Sequence, residues 1–239
     1  MNLLKKLYLQ ISNYHKKINE KKEYYSFSGV DVQIEFIFRN QKKGIYLDIG
    51  CQNPIKNNNT FKLYKKGWNG INIDLDIDNI NLFNQARPDD ININKAISSD
   101  IKIVDLFFFH KKSPLNTIDE KVSLFQKANV KNIKKIQTDT LNNVLSNSIY
   151  KNKHFDLLSI DVEGHELEVL KGFNFNIYSP SVIVVEFLDL KVKNLEIKNL
   201  SILNIINSDL YKFLIKKNYI LVNCIYSDLI FVKKEFRDI

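Results

Sequence analysis

The chain has 239 residues, 44% of them hydrophobic and 26% charged, which is typical of one large or two small globular domains and excludes a disordered chain. Its two cysteines exclude a disulfide scaffold and favour a reducing, cytoplasmic setting. The apolar runs are too short for a transmembrane helix, and the start of the chain lacks the apolar region of a secretory signal. The net charge of +8 comes almost wholly from lysine. Since nucleic-acid binders rely on arginine for bidentate contacts, this argues against a nucleic-acid partner and is compatible with an acidic small molecule.

Residues 1–24 have the pattern of one amphipathic helix. Leu3, Leu7 and Ile11 recur at helical spacing with lysines between them. Such a helix could pack on the body of the protein or join two copies in a homodimer. A membrane-surface anchor is the alternative, which the lack of Trp and Phe in the apolar stripe disfavours. We expect this helix to precede a single domain over residues 25–239.

From residue 44 onward, short apolar runs alternate with helical patterns. Strands are predicted at 45–49, 70–75, 91–97, 155–160 and 182–187, and helices at 61–66, 164–172 and 205–217. This alternation predicts an α/β fold, a mostly parallel sheet with helices on both faces. Runs at 219–226 and 229–233 flank a tight turn, so the sheet should end with an antiparallel hairpin strand. Residues 105–135 break the rhythm and are predicted to be an insertion over one end of the sheet.

Carboxylates stand at the ends of three predicted strands, where open α/β sheets bind their ligands. Asp48 and Gly50 end the first strand, Asp74 ends the second and Asp161 ends the fourth. A dinucleotide needs a glycine-rich turn, but only Gly50 follows the first strand. This favours a ligand with an adenosine and no phosphates, with Asp74 accepting from the ribose hydroxyls. Either Asp48 or Asp74 alone could equally be a turn or cap residue, whereas together they favour adenosine binding.

Several segments together resemble the FkbM-type S-adenosylmethionine-dependent methyltransferases. The matching segments are residues 45–50, 64–74, 87–94, 96–98 and 156–172, with fainter matches at 26–31 and 115–117. The run from Asp156 to Gly172, which contains Asp161-Val162-Glu163-Gly164-His165-Glu166, is the most specific of them. The resemblance extends over about residues 25 to 235.

The resemblance implies a Rossmann-like methyltransferase fold, S-adenosylmethionine as methyl donor, and transfer to a hydroxyl, often on a sugar or polyketide-type product. The cofactor-binding residues expected on this basis are Asp48, Gly50, Asn53, Asp74, Ala96, Ile97 and Asp161. Residues 51–54 depart from the family's small-residue and glycine endings, and Phe27 and Val30 replace a usual glutamine and acid. These departures leave a degenerate enzyme as an open alternative.

A hydroxyl acceptor must lose its proton, so a general base is expected. His165 is the predicted base, because an ordinary histidine pKa of about 6.5 lies near the operating pH; the alternative is a surface histidine at a helix start. A second route is a divalent metal such as Mg2+ held by Asp161 and Glu163, which would acidify the hydroxyl. Glu163 could instead only complement the helix N-terminus.

The predicted function is O-methylation of a small molecule, a sugar or nucleotide-sugar/glycan precursor. The residues expected to meet this acceptor are Asn116, Thr117, Glu163 and Glu186. The alternatives are an RNA-directed methyltransferase, which the positive charge favours and the arginine poverty disfavours, and a catalytically silent binding protein that acts through the N-terminal helix.

Overall fold

The predicted N-terminal helix is partly described. The computed structural model describes residues 3–4, 6–8, 10–11, 23–111, 113–125, 130–192 and 196–237. Its described residues between 3 and 11 are helical and exposed, whereas residues 23–24 are not helical. Residues 12–22 of the predicted helix lie outside the described residues, and the homodimer contact expected there stays a prediction. Within the described ranges, no helix combines the length and hydrophobicity needed to cross a bilayer.

The strands form two sheets. In chain order they are β1 (Ile45–Ile49), β2 (Asn69–Asp74), β3 (Ile91–Asn94), β4 (Ala96–Ile97), β5 (Ile103–Phe108), β6 (Asn132–Asp139), β7 (Leu157–Ile160), β8 (Val182–Glu186), β9 (Tyr219–Ile225) and β10 (Asp228–Lys233). The central sheet has seven strands in the order β3-β2-β1-β7-β8-β10-β9, and a three-stranded sheet has the order β4-β6-β5. The chain therefore has the mixed α/β architecture that the alternating pattern predicts.

The hairpin at the end of the chain is confirmed, and it forms one end of the central sheet. Strand β10 pairs antiparallel with both β8 and β9, so it lies inside the sheet and β9 forms the edge. Five of the six β10 residues are buried, whereas Val222 and Asn223 in the middle of β9 are exposed. A strand with a continuous apolar run is stable only where both faces are covered, which is why β10 takes the inner position.

The predicted strand 91–97 is two strands. Strand β3 continues the central sheet, whereas β4 pairs with β6 of the small sheet. The chain leaves the central sheet at Lys95, whose N–H donates to the Asp74 carbonyl. Residues 105–135 then form most of β5, a helix and the start of β6, so the segment predicted to be an insertion has a sheet of its own.

The helices cover both faces of the central sheet. They are α1 (Val30–Ile37), α2 (Phe61–Lys65), α3 (Ile77–Ala86), α4 (Glu120–Phe125), α5 (Leu141–Ser146), α6 (Glu166–Lys171), α7 (Ile202–Asn207) and α8 (Asp209–Lys216). The predicted helix 205–217 is thus two helices. Ser208 separates them with an extended backbone, and its side chain accepts from the Tyr211 N–H to cap α8.

Alternate residues of each strand enter two different cores. Leu47 and Ile49 of β1 pack in the core under α5, α6, α7 and α8, whereas Tyr46 packs in the core under α1 and α2. Since side chains alternate along a strand, Asp48 points to the same face as Tyr46. Asp48 therefore lies beneath α2.

Candidate functional site

The cleft lies at the carboxyl ends of β1, β2, β4, β7 and β8, with a volume of about 470 Å3. That size falls within the range of small-molecule sites. The predicted site residues that line it are Gly50, Asp74, Ala96, Ile97, Asn116, Asp161, Glu163, His165 and Glu186. The other three, Asp48, Asn53 and Thr117, do not line it.

Gly50 makes the turn that brings the ends of β1 and β7 together. Its φ angle is 76°, in the left-handed region. A Cβ atom at this position would lie 1.7 Å from the Asp161 carbonyl oxygen, closer than any real contact. Only glycine fits here, because the backbone of Asp161 approaches so closely.

Asp74 is a buried carboxylate at the end of β2, already partly engaged. Its Oδ1 accepts from the Asp76 N–H at 2.7 Å and from Asn79 Nδ2 at 3.2 Å, and its Oδ2 accepts from the Gln52 N–H at 2.8 Å. Since each carboxylate oxygen accepts about two hydrogen bonds, Oδ2 has room for one more donor. Asp74 can therefore accept from one ribose hydroxyl, not from both. Burial raises the pKa of Asp74 to about 6.

Asp48 belongs to a buried group that we call the bracing cluster: Asp48, Pro54, Asn58, Thr60 and Arg87. Asp48 Oδ2 accepts from Thr60 Oγ1 at 2.8 Å and from Asn58 Nδ2 at 3.2 Å. The fully buried Arg87 donates to the Pro54 carbonyl, Thr60 Oγ1 and Asn58 Oδ1. Burial raises the pKa of Asp48, which the positive charge of Arg87 opposes. The cluster thus fixes the loop between β1 and α2, which forms one wall of the cleft.

The side chains of this loop hold its own backbone. Asn53 Oδ1 accepts from the N–H groups of Ile55 and Lys56, at 3.0 and 2.8 Å. Asn58 Oδ1 accepts from the N–H of Thr60 and of Phe61, so it caps α2. Asn53 is therefore engaged in a turn outside the residues that line the cleft, and its contact with the cofactor stays a prediction.

The turn between β7 and α6 is held in an unusual conformation. Glu163 and Gly164 have φ angles of 55° and 98°. The Glu166 carboxylate accepts from the N–H of Val162 at 3.1 Å and of Gly164 at 3.0 Å, and burial raises the pKa of Glu166 to about 7. A non-glycine residue in the left-handed region costs free energy and marks a constrained site. Glu166, which the sequence did not single out, therefore orders the turn that presents Asp161 and Glu163.

Three carboxylates converge at the end of the cleft, and we call Asp161, Glu163 and Glu186 the acidic cluster. One oxygen of each lies within 4.8 Å of the others. Asp161 is accessible from the cleft but enclosed by protein, and this burial, followed by the charge of Glu163, raises its pKa. Burial and the charge of Asp161 raise the pKa of Glu186 as well. The acidic cluster is thus a concentration of like charge without a basic side chain to neutralise it among its main electrostatic neighbours.

Asp228 adds a fourth carboxylate beside the acidic cluster. It lies opposite Glu186 in the pairing of β10 with β8, and it lines the cleft. Burial raises the pKa of Asp228 to about 6. No local sequence pattern points to Asp228, because it reaches the cleft only through the pairing of β10 with β8.

His165 lines the cleft next to Ser98, which follows β4. Its Nε2 is 2.9 Å from Ser98 Oγ, and the charges that act on it most are those of Glu168, Asp119 and Lys102. Burial lowers the pKa of His165, so the imidazole is neutral, as a base must be. It stands beside the segment of Ala96 and Ile97 that is expected to meet the adenine.

The two predicted acceptor contacts in the insertion are engaged with the chain itself. Asn116 accepts from the Phe109 N–H and donates to the His110 carbonyl. Thr117 is buried, and its Oγ1 donates to the Glu163 carbonyl at 2.8 Å. Both side chains therefore shape the insertion and the Glu163 turn, and Asn116 alone of the two reaches the cleft wall.

The cleft is acidic although the whole chain is basic. Its acidic lining residues are Asp74, Asp76, Asp161, Glu163, Glu186 and Asp228. The basic ones among the described residues are Lys95 and His165, and Lys95 lies 3.6 Å from Asp139. The cleft therefore favours ligands that are neutral or positively charged.

Two solved structures show a distant similarity to the chain. One is the TehB-like S-adenosylmethionine-dependent methyltransferase from Corynebacterium glutamicum, with 13% identity, a TM-score of 0.44, and coverage of 94% of this chain and 96% of that chain. The other is monomeric WbdD, with 14% identity and a TM-score of 0.41, which covers 86% of this chain but only 40% of that chain. No curated protein matches the sequence.

A comparison with protein families shows the family to which the chain belongs. The methyltransferase FkbM domain matches residues 48–215, which run from the end of β1 into α8. The matched range includes every residue that lines the cleft except Phe27, Tyr226, Ser227 and Asp228. The match covers well over half of the chain and agrees with the resemblance read from the sequence. The chain therefore belongs to the FkbM methyltransferase family, and this membership implies S-adenosylmethionine as the methyl donor.

Proposed function

We propose that the protein transfers a methyl group from S-adenosylmethionine to a hydroxyl of a polar small molecule, most simply a sugar. The observation that supports this most is the single cleft that joins a predicted adenosine end, at Asp74 and Ile97, to the acidic cluster. Methyl donor and acceptor need to meet in line, and a cleft with two chemically different ends can hold one at each.

The lining of the cleft fits the cofactor. Asp74 Oδ2 has room for one ribose hydroxyl, and Ala96 and Ile97 offer an apolar wall for a base. The acidic lining suits a cofactor with a sulfonium and an ammonium group. S-adenosylmethionine supplies the electrophilic methyl group, and the protein positions the partners and excludes water.

The acidic cluster provides the means to activate a hydroxyl. Burial and mutual repulsion raise the pKa of Asp161 and Glu186, which brings a carboxylate nearer the pH at which a base is effective. The same oxygens could instead hold a cation. His165 is the alternative base, although its Nε2 is already next to Ser98 Oγ.

The acidic lining of the cleft limits which classes of acceptor can bind. A nucleotide-sugar or an RNA strand brings phosphates, which six lining carboxylates repel. We therefore propose a neutral sugar hydroxyl as the acceptor, and a nucleotide-sugar only together with a divalent cation. This also disfavours the RNA-directed alternative, despite the overall charge of +8.

The experiment is a calorimetric titration with S-adenosylmethionine and its demethylated product, with NAD as the negative control. We expect saturable binding to the wild type, weakened in Asp74→Ala and unchanged in Asp105→Ala, which removes a half-buried carboxylate of β5 that does not line the cleft. A transfer assay with labelled methyl groups then compares neutral sugars with nucleotide-sugars. Absence of binding by both cofactor forms would overturn the proposal and support the silent binding protein.

A further inference from the structure

The acidic cluster contains a carboxylate oxygen that is left without a partner. Glu186 Oε2 is shielded from solvent and has no hydrogen-bond donor among the described residues. The Asp161 carboxyl lies within hydrogen-bond reach of Glu186, but an ionised carboxylate has no proton to donate. A buried, ionised oxygen without a donor carries a large desolvation penalty.

Two arrangements remove this penalty. Asp161 and Glu186 could share one proton, or a cation could lie between the carboxylates. The shared proton involves only Asp161 and Glu186, whereas one oxygen of Glu163 also lies within 4.8 Å of an oxygen of each of them. A cation accounts for the convergence of all three.

The spacing of the three oxygens fits a hard divalent ion. Oxygens that share a calcium ion at 2.3–2.6 Å lie up to about 5 Å apart, and those that share Mg2+ at 2.0–2.1 Å lie up to about 4 Å apart. Separations within 4.8 Å are therefore compatible with one such ion, whether Ca2+, Mg2+ or Mn2+. Carboxylate oxygens are also the ligands that these ions prefer.

We propose that Asp161, Glu163 and Glu186 bind one hard divalent cation at the acceptor end of the cleft. Glu186 is the ligand that sequence reasoning did not include, because it comes from β8 whereas the other two follow β7. The binding of the cation stands on its own, but its role in the reaction rests on the proposed function.

In that role the cation takes part without being consumed. It attracts the oxygen of the acceptor hydroxyl and lowers its pKa, so the proton leaves to water. The acceptor oxygen then forms a bond to the methyl carbon as the bond from carbon to sulfur breaks. The products are a methyl ether and the neutral thioether of the cofactor. The cation would also screen the phosphates of a nucleotide-sugar from the acidic lining.

The test is Mn2+ binding to the full chain at pH 8, followed by the loss of the electron paramagnetic resonance signal of free Mn2+. We expect one Mn2+ per chain, displaced by Ca2+ or Mg2+, and an affinity lowered at least tenfold in Glu186→Gln. The control is Glu35→Gln, which removes the same charge from α1, where Lys62 and Lys66 pair with it. It should bind Mn2+ like the wild type, and thermal unfolding checks that both variants are folded.

Two results would overturn the cation site. One is the absence of bound Mn2+ in the wild type, which would favour the proton shared by Asp161 and Glu186. The other is an equal loss of Mn2+ affinity in Glu186→Gln and Glu35→Gln. The titration with S-adenosylmethionine separates this failure from that of the proposed function. Cofactor binding without Mn2+ binding refutes the cation alone, whereas Mn2+ binding without cofactor binding refutes the methyltransferase proposal and keeps the site.

Discussion

The bracing cluster and the acidic cluster treat buried charge in opposite ways. In the bracing cluster, the charge of Arg87 faces Asp48, and its N–H groups meet oxygens of Pro54, Asn58 and Thr60. In the acidic cluster, carboxylates face one another, and one oxygen of Glu186 has no donor among the described residues. The two clusters lie at the ends of neighbouring strands, β1 and β7, of one sheet.

This difference in charge compensation indicates a structural role for the bracing cluster and a functional role for the acidic cluster. Burying charge is costly, and the folded state tolerates it where partners compensate it. The bracing cluster meets that condition and needs no further role beyond holding the cleft wall. The acidic cluster does not meet it, so its like charges lower stability unless a ligand neutralises them. Such uncompensated sites are where stability is commonly exchanged for function.

The largest expected effect comes from breaking the bracing cluster. Arg87→Ala should lower the free energy of unfolding by about 3–5 kcal/mol, because Asp48 loses the positive charge that compensates its burial. Arg39→Ala, which removes an exposed arginine, should stay within about 0.5 kcal/mol of the wild type. Urea denaturation measures both, and equal effects would refute the assigned role of Arg87.

The next effect tests the close approach of the two strand ends. Gly50→Ala should cost about 2–4 kcal/mol, because its Cβ overlaps the Asp161 carbonyl and alanine disfavours a positive φ. Gly67→Ala is the matched control, since Gly67 has a φ of 85° with open space around it, and should cost about 1–2 kcal/mol. A cost for Gly50→Ala no larger than that of Gly67→Ala would contradict the contact.

A smaller effect is expected on the cofactor. Asp74→Asn should weaken S-adenosylmethionine about 10- to 100-fold, the value of one hydrogen bond to a charged group. Because burial raises the pKa of Asp74 to about 6, the wild-type affinity should fall as the pH drops below 6. The variant should lack this dependence. Calorimetry at several pH values tests it, and an identical pH profile in both proteins would exclude Asp74 from cofactor binding.

The smallest effect concerns Glu166, which connects the acidic cluster to its turn. Its folded-state pKa of about 7 lies above the ordinary 4.5, so the folded state binds the proton more tightly. Stability should therefore fall as the pH rises from about 4.5 through 7. Glu166→Gln keeps one acceptor oxygen for the N–H groups of Val162 and Gly164. It should reduce this slope by up to about 1.4 kcal/mol per pH unit, the most that one titrating group can contribute. An unchanged slope would contradict the assignment.

The sequence predicted much of the fold because its signals are local. Strands β1, β2, β7 and β8, and the hairpin that follows them, are short apolar runs bounded by turn residues. The sequence did not predict that residues 91–97 form two strands. The chain moves to the second sheet at Lys95 because Ala96 and Ile97 pair with β6, and this partner is distant in the sequence.

The sequence identified residues that line the cleft where the strand order did not matter. Asp74 and Asp161 follow directly from strand ends. Asp48 has the same sequence signal, but in a sheet buried on both faces the pattern does not show which face a residue takes. Asp228 comes to Glu186 only through the inner position of β10, which no local pattern predicts.

The most direct test compares the free energies of unfolding of Asp48→Asn and Glu186→Gln at pH 8 without divalent cations. The account predicts opposite signs. Asp48→Asn should be less stable than the wild type, because Arg87 stays charged and buried. Glu186→Gln should be more stable, because its amide can donate to Asp161 and a repulsion is removed. A destabilised Glu186→Gln would show that the acidic cluster supports the fold, and would contradict its assignment to function.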